Sequence, residues 1–223
     1  MNSISNSTID FLRDLAENNN PIWFEQNRNR YEEARADFKF FIEKLLSIIA
    51  KDWNLDDVSA NDIVSELDKE TSKVEGKKTY KTYLEANITP QKKPTQLASF
   101  TIRIDPTVGS KFIAGFNSLD LKSLNLIRKK IAQEPEQLQF FLKTPAFKRY
   151  FMKIKGSKLD TVPAGFNSNH PNMDLLRYQT FQIEHLISNR QIKTRYFLEY
   201  TEFIFGHMQT FCNFFNEAIT EAA

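Results

Sequence analysis

Residues 99–116 read Ser-Phe-Thr-Ile-Arg-Ile-Asp-Pro-Thr-Val-Gly-Ser-Lys-Phe-Ile-Ala-Gly-Phe, and this stretch decides the fold class. Phe100, Ile102 and Ile104 alternate with Thr101, Arg103 and Asp105, the period-two pattern of a strand with one buried face. Asp105-Pro106-Thr107-Val108-Gly109 is turn chemistry, and a second apolar run follows it as far as Phe116. So short a connection joins antiparallel strands, because a parallel pair needs a crossover of a dozen residues or more. The chain is expected to carry a hairpin at its centre.

Outward from the hairpin, residues 84–88 read as an earlier strand and residues 181–186 as a later one. Residues 64–74 are ambiguous, a ragged edge strand being one reading. The flanks are helical. Residues 7–18 carry Ile9, Leu12 and Leu15 on one side, with Ser7 or Thr8 as the cap. Pro21 suits the first position of a long amphipathic helix running to about Trp53, through Phe24, Tyr31, Phe38, Phe41 and Leu45. After Ser118 the helical period returns with Leu121, Leu124, Ile127 and Ile131. Pro135 and Pro145 open further short helices, another lies near Met173, and a last long helix spans residues 188–218. Helices, strands, helices, one strand and a final helix give an α+β fold. A mostly antiparallel sheet should pack against the long N- and C-terminal helices, with several short helices between. No Pro-, Gly- or Ser-rich linker divides residues 1–223, so one domain is expected.

Composition narrows the function less than the fold. The 20 phenylalanines imply a Phe-rich core rather than an aromatic binding surface. The one cysteine, Cys212, lies among Phe211, Phe214 and Phe215 and reads as a small core residue. No secretory signal opens the chain, and no run approaches the roughly 18 apolar residues of a membrane span. A soluble cytoplasmic protein with no membrane partner is therefore expected. Net charge is only +2, but residues 1–70 carry −7 and residues 122–158 carry +8. A basic run of this kind reads as the solvated side of short helices. Without a nucleic-acid motif, a nucleic-acid partner is disfavoured.

Several motifs are missing. There is no phosphate loop, no dinucleotide fingerprint and no nucleophile-elbow serine, and six glycines leave little room for such loops. His170, His185 and His207 lack the close spacing of helical zinc ligands. No cofactor and no metal are expected. One local irregularity remains. The stripe of the long helix calls for a hydrophobe at position 27 or 28, where Asn27-Arg28 stands. A polar pair there reads first as a satisfied internal bond, and second as side chains presented to a cleft.

The run Phe11-Leu12, Asn18-Asn19-Asn20, Trp23-Phe24, Asn27-Arg28 and Tyr31 resembles the opening of the mainly bacterial domain of unknown function 2461 family. Tyr80-Lys81-Thr82 is similar to a Pro-Tyr-Lys-Thr-like segment of that family. Leu159, Val162-Pro163, Gly165-Phe166 and His170-Pro171 resemble another, as does the helix 124–131 followed by Pro135-Glu136. Before the Tyr-Lys-Thr segment the family resembles an arginine-rich strand, whereas this chain has Glu66, Lys69 and Ser72. Lysine lacks arginine's two-pronged fork. An anion held by that strand would therefore be weakened or lost here. The family has no established activity, so the resemblance implies a binding module for a protein or a small anionic ligand. The alternative is an enzyme acting on a phosphate- or carboxylate-bearing small substrate. The residues that would hold the anion are Arg28 and Lys81, with Tyr80 and His170 at the rim, or as proton-transfer groups in the enzyme. A buried Arg28 needs an acid, Glu66 or Glu70, or else a ligand anion.

Overall fold

The computed structural model describes residues 2–53, 55, 58–67, 73–74, 77–90 and 97–221. The N-terminal part holds α1 (Asn6–Glu17), α2 (Pro21–Gln26), α3 (Arg28–Trp53) and α4 (Ala60–Ile63). The strands β1 (Lys73–Val74), β2 (Lys77–Lys78), β3 (Leu84–Ile88), β4 (Ser99–Ile104) and β5 (Ser110–Gly115) follow. Then come α5 (Leu121–Gln133), α6 (Glu136–Lys143), α7 (Pro145–Tyr150) and α8 (Met173–Leu176). The chain closes with β6 (Gln182–Ile187), α9 (Asn189–Ile192) and α10 (Phe197–Thr220). The fold is α+β, with a four-stranded antiparallel sheet in the order β3-β4-β5-β6 and a separate β1-β2 pair.

The chain falls into two compact units, the first made of Met1–Ile88, Thr101–Phe112 and Leu186–Ile204. In this unit Asp37 on α3 accepts from the Ser5 amide at 2.8 Å and the Thr8 hydroxyl at 2.7 Å, tying down the start of α1. Ser5, rather than Ser7 or Thr8, caps α1. Phe197 stacks on Phe41 of α3 at 4.9 Å and lies 6.1 Å from Phe112 of β5. The hairpin turn is built by Asp105, whose Oδ1 accepts from the Thr107 and Val108 amides, both at 3.0 Å. Gly109 closes it at φ +125°, a conformation L side chains rarely adopt. Val64 makes a single bridge to Ala86 of β3, so the ragged edge strand is reduced there to one residue pair.

The second unit comprises Thr89–Phe100, Ile113–His185 and Phe205–Ala223. Its core is aromatic: Phe205 meets Phe100 edge-on at 5.2 Å, and Phe215 packs on Phe181 at 4.8 Å and on Phe211 at 4.8 Å. Cys212 is fully buried, and burial pushes its thiol pKa up, as the core reading requires. The largest fully buried side chains are all phenylalanines, so the Phe-rich composition is a core property.

Three further expectations need correction. The helix from Pro21 to Trp53 is two helices, broken at Asn27. The Asn27 side chain donates to Trp23 O at 2.9 Å, while its own carbonyl accepts from the Tyr31 amide at 3.1 Å, so it closes α2 and opens α3. The last helix likewise starts at Phe197, after the short capping-box helix α9. In the basic segment, Lys130 is not on the outside: its side chain is 10% exposed, with Glu217 at 3.1 Å and Glu221 at 3.7 Å. Arg128 of that segment is buried as well.

Candidate functional site

The sequence-derived residues fall in both units. Tyr80, in the first, is buried, and its ring stacks on Phe24 at 4.0 Å with 10° between the planes. Asn19 fixes it there: its Oδ1 accepts from the Tyr80 amide at 2.8 Å and its Nδ2 donates to the Tyr80 carbonyl at 2.8 Å. One asparagine thus satisfies both backbone groups of Tyr80. The Arg28 guanidinium lies 5.5 Å from the centroid of the same Phe24 ring. Arg28, Phe24 and Tyr80 are therefore brought together. Lys81 sits with its ammonium 5.5 Å from the Tyr83 ring, over which Arg103 also lies at 4.3 Å.

Arg28 is half-exposed rather than buried, and an acid faces it. Glu25, one turn earlier, accepts from Nε at 2.9 Å and from Nη2 at 2.6 Å. Glu66 pairs with Arg35 at 2.9 Å, and Glu70, Lys69 and Ser72 lie outside the described residues. The sequence irregularity at Asn27-Arg28 thus marks a helix break and a local fork-to-carboxylate pair.

His170 belongs to the second unit, at a tight turn leading into α8. Its Nδ1 accepts from the Asn172 amide at 3.1 Å, which places the neutral ring's proton on Nε2. Asn172 is buried; Gln139 donates to its Oδ1 at 2.6 Å. The turn is therefore pinned from two sides.

The same unit contains a feature the sequence reading passed over. A cavity of about 820 Å³ opens between α5 and residues 159–166. The helix starts cleanly because Asp120 accepts from the Ser123 amide at 2.6 Å, which also holds the Asp120 carboxyl below its ordinary pKa. Leu124, Ile127 and Ile131 of α5 are buried, and a second stripe through Leu121, Asn125, Lys129 and Ala132 lines the cavity. The opposite wall is the Val-Pro-Ala-Gly-Phe segment. Leu159 anchors it, donating its amide to Arg177 O at 2.8 Å and accepting from Arg177 Nε at 2.7 Å. Gly165 has φ +85°, which a side chain would strain even though the space around it is open.

Arg128 also lines this cavity. The residue is 4% exposed. Nε donates to Leu176 O at 2.8 Å and Nη2 to Tyr178 O at 3.2 Å. Both partners are neutral carbonyls, and no carboxylate pairs with Arg128 among the described residues. Burial lowers its pKa. The sequence did hold a signal for it. Position 128 follows Leu124 by four residues and precedes Ile131 by three, so Arg128 stands in the apolar stripe of α5. Counting it within a basic run concealed this.

Among the described residues no group of three His, Cys, Asp or Glu side chains could hold a metal ion. No helix among them is long and apolar enough to cross a membrane.

The fold and cavity define an α+β protein with an arginine-based groove walled by a Val-Pro-Ala-Gly-Phe loop. The chain belongs to the domain of unknown function 2461 family, described as a conserved hypothetical protein, whose family model matches residues 7–214. Comparison with curated proteins and with solved structures gives no match.

Proposed function

We propose that the protein is a soluble, cytoplasmic binding module of bacterial origin, acting as one domain through the groove between α5 and residues 159–166. The observation that carries this is a cavity of about 820 Å³ joining exposed apolar side chains, Leu121 and Val162, to a buried arginine that has no acid partner among the described residues. Ligand pockets typically span roughly 300–1,000 Å³ and combine apolar walls with a few convergent polar groups. Binding is favoured over catalysis by the polar lining, which comprises Asn125, Arg128, Lys129, Gln133 and Thr161 and offers no carboxylate or imidazole for proton transfer near neutral pH. A cytoplasmic setting fits a lone cysteine that is buried and held as a thiol.

Methyl-labelled protein titrated with butanol, phenol, benzoate and octanoate tests the groove. Signals of Leu121, Ala132, Val162 and Ala164 should move, while those of Ile183 and Ile204 stay. Shifts confined to methyls outside the groove contradict the proposal.

A second reading assigns a phosphate or carboxylate to Arg28 and Lys81 beside Tyr80. It is favoured by the Phe24 ring, which Tyr80 stacks on and Arg28 lies near. Phosphate should then raise the thermal midpoint of the wild type but not of Arg28→Ala. An equal response, or none in either protein, excludes it.

A further inference from the structure

We infer that the ligand of this groove is an amphipathic anion: a carboxylate or phosphate head on an apolar body, with the head oxygens meeting the Arg128 guanidinium. The inference rests on the groove being the recognition site. Arg128 has five N–H donors. Nε and one Nη2 hydrogen are spent on Leu176 O and Tyr178 O, while Nη1 makes no hydrogen bond among the described residues. A buried cation without a counter-charge is costly, and an anion arriving in the cavity relieves that cost. Its planar fork matches two oxygens of one head group, which a lysine would not do. The two carbonyls also fix the guanidinium in advance, so little side-chain freedom is lost on binding.

The charged residues that line the cavity carry one sign, while Asp160 of the facing loop is exposed and outside that lining. Lys129, exposed and without an ion pair among the described residues, adds a second positive charge to the lining, which contains no Asp or Glu. Size and chemistry set the rest of the ligand. An inorganic anion would leave most of about 820 Å³ unfilled. Leu121, Ala132, Leu159 and Val162 offer apolar surface for an aliphatic or aromatic body.

Calorimetric titration of the full chain with octanoate and octyl phosphate, set against octanol and inorganic phosphate, tests this. Both amphipathic anions should bind at least tenfold more tightly than octanol or phosphate, and the stronger of the two identifies the head group. From butyrate to octanoate, affinity should rise about threefold per methylene. Ala132→Trp, which fills the groove and leaves Arg128 in place, should abolish binding. Arg128→Lys should weaken octanoate at least tenfold. The wild-type comparison decides the matter even if that variant does not fold. Octanol binding as tightly as octanoate, and lost in Ala132→Trp, overturns the anionic head while sparing the groove. Octanoate binding unchanged in Ala132→Trp overturns the groove itself. No binding by any probe overturns the inference, and the methyl titration then decides the groove separately.

Discussion

Arg28 and Arg128 are the same side chain in two settings, and the contrast shows what a buried charge means. Arg28, in the first unit, spends its fork on Glu25 one turn away and lies close to Phe24; its side chain is 43% exposed. That pair is made within one helical turn. Arg128, in the second, is 4% exposed, is held by two neutral carbonyls, and lines a cavity without acids. Its fixing is complete, whereas its charge is not compensated. Exposed ion pairs contribute roughly 0–1 kcal/mol. An uncompensated buried cation, by contrast, carries a desolvation cost that an incoming anion would relieve. The difference separates an arginine used for folding from one available to a ligand.

Four substitutions sharpen the contrast, each read by urea denaturation. Phe24→Ala should have the largest effect, about 4 kcal/mol, because the ring is fully buried and both Tyr31 and Tyr80 pack on it. The aromatic residue, not Arg28, is then the hub of that cluster. Arg128→Ala should cost about 3 kcal/mol, since it leaves the Leu176 and Tyr178 carbonyls without their donor. A loss below about 1 kcal/mol would mean the guanidinium is not fixed by those bonds. Asn19→Ala should cost about 2 kcal/mol, having removed both bonds to the Tyr80 backbone. Arg28→Ala should cost less than about 1 kcal/mol, as expected of a half-exposed pair. If Arg28→Ala matched Arg128→Ala, the contrast would collapse.

Much of the fold was legible because its local signals agree. The alternation at 99–105 and the Asp105–Gly109 turn both point to a hairpin, and the strands observed there are Ser99–Ile104 and Ser110–Gly115. The two misjudged helices fail for a common reason. Apolar spacing resumes beyond Asn27-Arg28 and beyond residues 193–196, while the breaks depend on hydrogen bonds: the Asn27 side chain to Trp23 O, and the Thr194 hydroxyl to Gln191 O. The site was only partly legible. The segment at 159–166 is recognisable as a motif, and it forms one wall of the cavity. The neighbouring wall was hidden because Arg128 sits among nine other basic residues of the 122–158 run, and charge counting cannot tell a solvated lysine from a buried arginine. Arg28 attracted notice through its sequence context, yet its partner, Glu25, is a neighbour on the same helical turn. Periodicity marks such positions without saying whether the charge is already paired.

The central claim, that Arg128 rather than Arg28 is the arginine available to an anion, can be read in one sample. In protein labelled with ¹⁵N-arginine, the guanidinium resonances of both residues are followed while octanoate is added. The account predicts that the Arg128 Nη signals shift and their rotation slows as octanoate saturates, while those of Arg28 stay in place. Movement of Arg28 with Arg128 unchanged would contradict it.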